Sequence, residues 1–212
     1  LMAVINPLEV VIDNYPEGKV EKLVSLNNME NPELGSHKIY FSNKIYIDQE
    51  DFVEVKPNRK WKRLALDSEV RLMNAYFIKA VSVEKDEKGE IIRVHATYDP
   101  ATKGGDAPDG RKPNGTIQYV DAATGLKANF NLFDVLVFDE VEGEEKSFIE
   151  RLNPNSREVR EGFIEAEAKN TVPGDHFQFV RTGYFCTDKL STKEKLIFNR
   201  TCSLKSSFNP IK

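Results

Sequence analysis

Short apolar runs, many of them alternating with polar residues, recur along the chain of 212 residues and are separated by Gly, Pro, Asn and Asp. Alternation over about four to eight residues is typical of half-buried strands, whereas helical periodicity is almost absent. The pattern predicts strands at residues 4–15, 21–26, 38–47, 70–78, 80–83, 91–98, 116–120, 126–138, 148–163, 177–186 and 196–204. Many short strands at regular spacing predict an all-β protein, and they favour barrels over sandwiches.

Turn residues divide these strands at specific places. Asn6-Pro7 interrupts the first strand, and Ser42-Asn43 breaks the third as in a bent or bulged strand. Gly89 supplies the positive φ angle near the tip of a hairpin. Asp48 occupies the N-cap position of a single helical turn. Loops and turns are predicted at residues 27–36, 99–115 and 140–146.

Two segments of the first half have counterparts in the second half, in the same order. Ile5-Asn6-Pro7 resembles Leu152-Asn153-Pro154, and Val70-Arg71-Leu72 resembles Val180-Arg181-Thr182. Internal similarity of this kind indicates repeated supersecondary units. The sequence therefore predicts two related β units.

Composition places the chain among ordinary soluble globular proteins, with 40% hydrophobic and 30% charged residues. No apolar run approaches the roughly 20 residues that a membrane-spanning helix needs, so no membrane association is predicted. The first residues lack a basic segment and a small-residue cleavage site, so no signal peptide is predicted. Cys186 and Cys202 are too few for a disulfide framework or a zinc site, and we interpret them as cytosolic thiols.

One segment departs from the overall charge balance. The formal net charge is -4, yet residues 56–63 carry five cations and no acid, grouped around Trp61. Cationic groups beside an aromatic ring are typical of single-stranded nucleic-acid recognition, because they meet phosphates, base edges and base faces. The alternative is a solvated charged surface, with Arg71 paired to Asp67 or Glu69.

The residues required for catalysis do not form a recognisable pattern. His37, His95 and His176 are far apart in sequence, and Gly104-Gly105 lies in a loop without the spacing of a phosphate-binding motif. We therefore predict no catalytic residue and interpret the chain as a binding module. Two other hypotheses stay open, namely a protein-interaction barrel whose basic segment is incidental and a hydrolase whose site the sequence does not reveal.

Six blocks carry a resemblance to a known family: VINPLEVVIDNY, FSNKIYIDQEDF, KWKRLALDSEVRLMNAYFIK, DGRKPNGTIQYV, FQFVRTGYFCTD and KLIFNRTCSLK. In this order they resemble the C-terminal anticodon-binding region of glutaminyl-tRNA synthetases, over nearly the whole chain. Glutamyl-tRNA synthetases of the archaeal and eukaryotic type share the barrels and are the alternative. FQFVRTGYFC and IFNRT are more similar to the glutaminyl branch.

The resemblance implies two six-stranded β-barrels of the kind seen in a large-subunit ribosomal protein. Residues 1–30 and 120–212 would form the proximal barrel, and residues 31–119 the distal barrel. The implied function is to read the anticodon loop of glutamine tRNA, so that an upstream catalytic domain can attach glutamine using ATP with magnesium. The chain itself would be a non-catalytic fragment without a cofactor, belonging to a monomeric cytoplasmic enzyme.

The resemblance also implies roles for individual residues. Lys62 and Arg63 match the pair at the third anticodon base, Arg71 the arginine at the first, and Gln178 the glutamine at the middle base. Lys60 and Asn74 complete the predicted RNA-binding set. Three positions depart from the family pattern: Lys60 replaces a glutamine of bacterial relatives, Met73 stands where arginine is common, and an arginine of the middle-base pocket would precede Leu1.

Overall fold

The computed structural model describes residues 1–139 and 147–204, and the predicted acidic turn at 140–146 lies outside the described residues. The strands are β1 (Ala3–Val4), β2 (Pro7–Ile12), β3 (Glu21–Leu26), β4 (Ser36–Phe41), β5 (Lys44–Asp48), β6 (Phe52–Val53), β7 (Leu64–Ala65), β8 (Glu69–Leu72), β9 (Phe77–Lys85), β10 (Ile91–Asp99), β11 (Thr116–Ile117), β12 (Val120–Asp121), β13 (Leu126–Phe133), β14 (Arg157–Ile164), β15 (His176–Phe179), β16 (Gly183–Thr187) and β17 (Leu196–Cys202). Short 3-10 turns occupy Pro32–Leu34, Gln49–Asp51, Pro100–Thr102, Ile149–Arg151 and Ala166–Asn170.

Two curled sheets contain most of these strands, which confirms the all-β prediction and is consistent with two barrels. The first sheet has seven strands in the order β11-β8-β9-β10-β2-β5-β12, and the second has six in the order β1-β14-β13-β17-β16-β15. Strands β3 and β4 pair with each other, as do β6 and β7. The seven-stranded count includes two strands of only two residues each, β11 and β12.

Each sheet covers its own apolar core. The alternation in β2 buries Leu8, Val10 and Ile12 on one face, as the sequence pattern predicts. These side chains join a core whose buried members come from residues 2–119. A second core takes Ala3 and residues 128–198, and four buried phenylalanines contact one another within it: Phe130, Phe179, Phe185 and Phe198.

The predicted interruption at Asn6-Pro7 is the place where the chain passes from one sheet to the other. Strand β1 pairs with β14 of the six-stranded sheet, whereas β2 pairs with β5 and β10 of the seven-stranded sheet. The Asp48 carboxylate accepts hydrogen bonds from the backbone N–H groups of Ile5 at 3.1 Å and Asn6 at 3.3 Å. The division into residues 1–30 with 120–212 and residues 31–119 stays a prediction.

Several local predictions need correction. The strand predicted at residues 148–163 starts only at Arg157, and residues 177–186 are divided into β15 and β16 by a turn. The apolar run at residues 70–78 is not one strand, because a turn at Met73-Asn74 separates β8 from β9 and Asn74 has a φ of 58°. Residues 49–51 do form a 3-10 turn, but the Asp48 side chain makes no capping hydrogen bond to it. That carboxylate is instead bound by the crossing segment of the chain.

Candidate nucleic-acid interface

Residues 56–63, here called the basic turn, connect β6 to β7 at the surface. Lys56, Arg59, Lys60 and Lys62 are exposed. Within residues 1–139 and 147–204, no carboxylate forms an ion pair with any of these four side chains. Their charges therefore face solvent and no carboxylate of these described ranges neutralises them, as a phosphate-binding surface requires.

Short-range hydrogen bonds fix the backbone of the basic turn. The Asn58 side-chain oxygen accepts from the N–H of Lys60 at 2.8 Å, and the Asn58 carbonyl accepts from Trp61 at 3.3 Å. The indole N–H of Trp61 donates to the Leu64 carbonyl at 3.2 Å, and the ring is half-buried. The aromatic residue thus anchors the turn while the neighbouring cations remain exposed.

Asn114 and Gly115, from the predicted long loop, hold the basic turn from the other side. The Asn114 amide donates to the carbonyls of Trp61 at 2.7 Å and Arg63 at 2.9 Å. A Cβ atom on Gly115 would lie 1.9 Å from the Lys62 carbonyl oxygen, so only glycine permits this approach. The Gly115 carbonyl also accepts from the N–H of Arg71 at 2.9 Å, which places Arg71 next to the turn.

Arg63 differs from the other cations of the turn because its guanidinium is held by acceptors. Its Nη1 donates to the Glu50 carbonyl at 2.7 Å, and its Nε lies 3.3 Å from Asp51 Oδ1. The guanidinium carbon is 5.6 Å from the centre of the Trp61 ring. The side chain is nevertheless 37% exposed, so it is oriented but accessible.

Asp51 is a functional candidate that the sequence reasoning missed. This residue is only 3% exposed, and its two oxygens accept from Nη1 and Nη2 of Arg181 at 3.0 and 2.8 Å. Burial raises the pKa of the Asp51 carboxyl, while the guanidinium groups of Arg181 and Arg63 act against that shift. The only local signal for the burial of Asp51 is that it directly precedes the buried Phe52. The ion pair with Arg181 could not be predicted, because the two residues are 130 positions apart in the sequence.

A polar cleft of about 380 Å³ lies where the two sheets meet. Gln118 donates from Nε2 to Asp48 Oδ2 at 2.8 Å and to Thr182 Oγ1 at 3.2 Å, so its amide joins residues of both sheets. Burial raises the pKa of the Asp48 carboxyl, against the hydrogen bonds from Gln118 and Asn6. The cleft is lined by four arginines, which are Arg63, Arg160, Arg181 and Arg200.

Arg71 and Asn74 lie on the hairpin beside the basic turn. Arg71 donates from Nη2 to Asp106 Oδ1 at 2.5 Å, and its guanidinium carbon is 4.8 Å from the centre of the Phe77 ring. Its partner is therefore neither of the two acids considered from the sequence, because Asp67 pairs with Lys79 and Glu69 with Arg111. Asn74 is half-buried and donates from Nδ2 to Ser25 Oγ at 3.0 Å.

Gln178 lies apart from the other predicted residues, on the terminal strand of the six-stranded sheet. It is exposed and opposite Tyr184 in the β15–β16 pair. Its backbone carbonyl accepts from the amino group of Leu1 at 3.1 Å. The structure thus brings Lys60, Lys62 and Arg63 together in one turn with Arg71 nearby, whereas Gln178 lies on a strand of the other sheet.

The described residues do not fit an ATP site, since their helical segments are 3-10 turns of three to five residues and none follows a glycine-rich phosphate loop. In the same ranges, no cluster of three or more His, Cys, Asp or Glu residues could hold a metal ion. The part of the chain that the structure covers contains no helix long and apolar enough to cross a membrane.

Comparison with known proteins identifies similar sequences over almost the whole chain. Residues 1–99 match a family model described as "tRNA synthetases class I (E and Q), anti-codon binding domain", and residues 116–188 match a second model of the same description. The chain is 47% identical over 210 residues to the glutamine--tRNA ligase of Clostridium kluyveri, covering 98% of this chain and 38% of that protein. It is 47% identical over 210 residues to the enzyme of Proteus mirabilis, covering 99% of this chain and 38% of that protein. The chain therefore spans about 38% of the length of these relatives.

Proposed function

Since the chain belongs to the family of anticodon-binding domains of class I tRNA synthetases for glutamate and glutamine, we propose that it binds the anticodon loop of glutamine tRNA. It does so as part of a longer glutamine--tRNA ligase that attaches glutamine using ATP with magnesium. The residues described here supply recognition and not ligation. The enzyme acts as a monomer in the cytoplasm.

The observation that carries the proposal is the exposed charge of Lys56, Arg59, Lys60 and Lys62 in the basic turn, which no carboxylate of residues 1–139 and 147–204 neutralises. Its backbone is held by hydrogen bonds with the side chains of Asn58 and Asn114 and by the close approach of Gly115, and not by acids. A charged surface that serves only solubility has no need of such a fixed backbone. A fixed cationic turn beside an aromatic ring can instead hold phosphates while Arg63 reaches a base edge.

Base reading is assigned to the residues that carry both hydrogen-bonding capacity and exposure. Arg63 and Lys62 read the third anticodon base, Arg71 the first, and Gln178 the middle base, with Lys60 beside them. Asn74 contributes by shaping the hairpin that carries Arg71, because its own amide is directed to Ser25. Lys56 and Arg59 lie at the edge of the turn and contact phosphates.

Binding of a glutamine-tRNA anticodon stem-loop at increasing salt tests the proposal. The logarithm of the association constant should fall linearly with the logarithm of the salt concentration, with a slope of about 0.7 to 0.9 per phosphate neutralised. Filter binding gives the slope, and a stem-loop with a glutamate anticodon is the control for specificity. Lack of binding at low salt would contradict the proposal and favour a protein-interaction surface, whereas equal binding of both loops would contradict glutamine specificity.

A further inference from the structure

The carboxylate of Asp51 is shared by two arginines that come from different parts of the fold. Arg181 donates two hydrogen bonds to it, at 2.8 and 3.0 Å, and Arg63 places its Nε 3.3 Å from Oδ1. The acid side chain is only 4% exposed, so neither interaction is weakened by full solvation. A buried carboxylate between two guanidinium groups fixes the relative positions of both.

Arg63 uses only part of its hydrogen-bonding capacity in this arrangement. Nη1 donates to the Glu50 carbonyl and the guanidinium forms an ion pair with Asp51 on its Nε side, whereas Nη2 has no protein acceptor within residues 1–139 and 147–204. A guanidinium is planar and rigid with five N–H donors, so two contacts at different nitrogens determine the directions of the remaining donors. Because the Arg63 side chain is already held in one conformation, RNA binding does not have to restrict its rotamers, and the entropy cost of binding is smaller.

Arg181 owes its position to the six-stranded sheet. It lies in the turn between β15 and β16, where the N–H of Thr182 donates to the Phe179 carbonyl at 2.9 Å and Arg181 has a φ of 62°. Asp51, in contrast, follows β5 of the seven-stranded sheet. The ion pair between Asp51 and Arg181, here called the bridge, therefore depends on how one sheet packs against the other.

We propose that Asp51 and Arg181 are positioning residues for Arg63, so that reading of the third anticodon base depends on the contact between the two sheets. The inference rests on the proposed function, because it assigns Arg63 to base reading. The new element is that Arg181, in the second half of the chain, determines the orientation of the Arg63 guanidinium, in the first half. Neither positioning residue needs to touch the base.

Asp51→Asn and Arg181→Gln test the bridge. Both variants should lower the ratio of affinities for cognate and altered third-base stem-loops by about tenfold or more, because a loosely held Arg63 no longer distinguishes base edges. The ratio at the first anticodon base should not change, since Arg71 is held by other contacts. In an Arg63→Ala background, Asp51→Asn should have little further effect on third-base discrimination. Fluorescence anisotropy with labelled stem-loops measures all of these ratios.

A matched control separates the bridge from a general loss of negative charge. Asp67→Asn removes one carboxylate from an exposed position that pairs with Lys79, and its φ of 57° is one that asparagine tolerates. This variant should keep wild-type discrimination at every anticodon position. Equal losses for all loops in Asp51→Asn or Arg181→Gln would overturn the positioning role.

A second measurement does not require RNA. In the wild type, the Arg63 guanidinium is held between Glu50 and Asp51, so restricted rotation should give resolved, slowly exchanging Nη–H signals in ¹⁵N NMR, and Asp51→Asn should return this signal to the averaged, fast exchange of a free arginine. An unchanged signal would overturn the bridge even if RNA binding is confirmed. Conversely, a wild type that binds no stem-loop but shows the protected signal would reject the proposed function and leave the bridge as a structural contact. If Asp51→Asn does not fold, Arg181→Gln still decides the question, because that side chain is 30% exposed.

Discussion

At the scale of single residues, Gln178 offers an uncharged amide on an exposed strand. Its side chain forms no hydrogen bond with the described residues, so its donor and acceptor are both available to a base. Tyr184, directly opposite and 46% exposed, adds a ring beside the amide. An amide with this freedom can donate and accept along a pyrimidine edge.

Gln178→Met and Gln178→Glu should therefore both reduce discrimination between uridine and cytidine at the middle anticodon position. Methionine keeps the length without hydrogen bonds, while glutamate places a carboxylate against a carbonyl and should cost more affinity. Competition binding with the two loops measures the effect, and it should be repeated in the full-length enzyme. Unchanged preference in both variants would make Gln178 an ordinary strand residue.

Charge clustering was sufficient to find the basic turn, because five cations within eight residues stand out in a chain of net charge -4. The bridge could not be found in this way. Asp51 and Arg181 are separated by 130 residues, and each has a credible local interpretation, as a helical-turn acid and as a surface cation. Their meeting depends on how the two sheets pack, which no local pattern encodes.

At the scale of elements, the loop carrying Asn114 and Gly115 is a clamp on the basic turn. Gly115→Ala would push a methyl group against the Lys62 carbonyl, which is backbone and cannot rotate away. We expect a loss of roughly 1 to 3 kcal/mol in the free energy of unfolding, together with weaker binding of all loops to a similar extent. Thermal melts and filter binding measure the two effects.

Gly105→Ala is the matched control for this prediction. The nearest atom to its added Cβ would be the Lys103 carbonyl at 3.7 Å, an ordinary contact. This variant should keep both stability and RNA affinity near the wild type. If Gly115→Ala behaves in the same way, the clamp does not determine the position of the basic turn.

The repeated hairpins show how far sequence similarity could predict the elements. The sequence similarity placed Arg71 opposite Arg181. In the structure, strand β8 corresponds to β15, and Arg181 corresponds to the turn residue Asn74, because Asn74 and Arg181 both have a positive φ angle. In this register, Arg71 and Gln178 occupy the same place in their hairpins. The sequence match was offset by three residues, because identical residue types drew the alignment away from the turn.

At the scale of the whole molecule, a pair of stacked rings joins the two sheets. Tyr46 of β5 and Phe163 of β14 have ring centres 4.0 Å apart and planes inclined by only 5°. Both side chains are half-buried. Stacked rings between two separate cores make the unfolding of one core depend on the other.

Tyr46→Ala and Phe163→Ala should each lower the free energy of unfolding by about 1 to 3 kcal/mol, less than for fully buried aromatics. A double-mutant cycle in urea should give a coupling of about 0.5 to 1.5 kcal/mol. Phe133→Ala, at a side chain 48% exposed, is the control. Additive losses from the two variants would show that the rings do not link the sheets energetically.

The fold class and most strand positions followed from alternation and turn residues, but the assignment of strands to sheets did not. The interruption at Asn6-Pro7 was visible in the sequence as a break in one strand. Its meaning as a passage between sheets was not, because β1 pairs with residues about 160 positions away. Pairing over such separations depends on the completed core.

The passage of the chain between the two sheets at Asn6-Pro7 has a consequence for folding during translation. The first core draws its buried residues from positions 2–119 and can close while later codons are still being translated. Val4 must wait for Phe163, which follows Tyr119, the last residue of that core, by roughly 2 to 9 seconds at about 5–20 residues per second. During this interval the nascent chain displays a short strand, β1, whose pairing partner β14 has not yet been made, beside a core that is already complete.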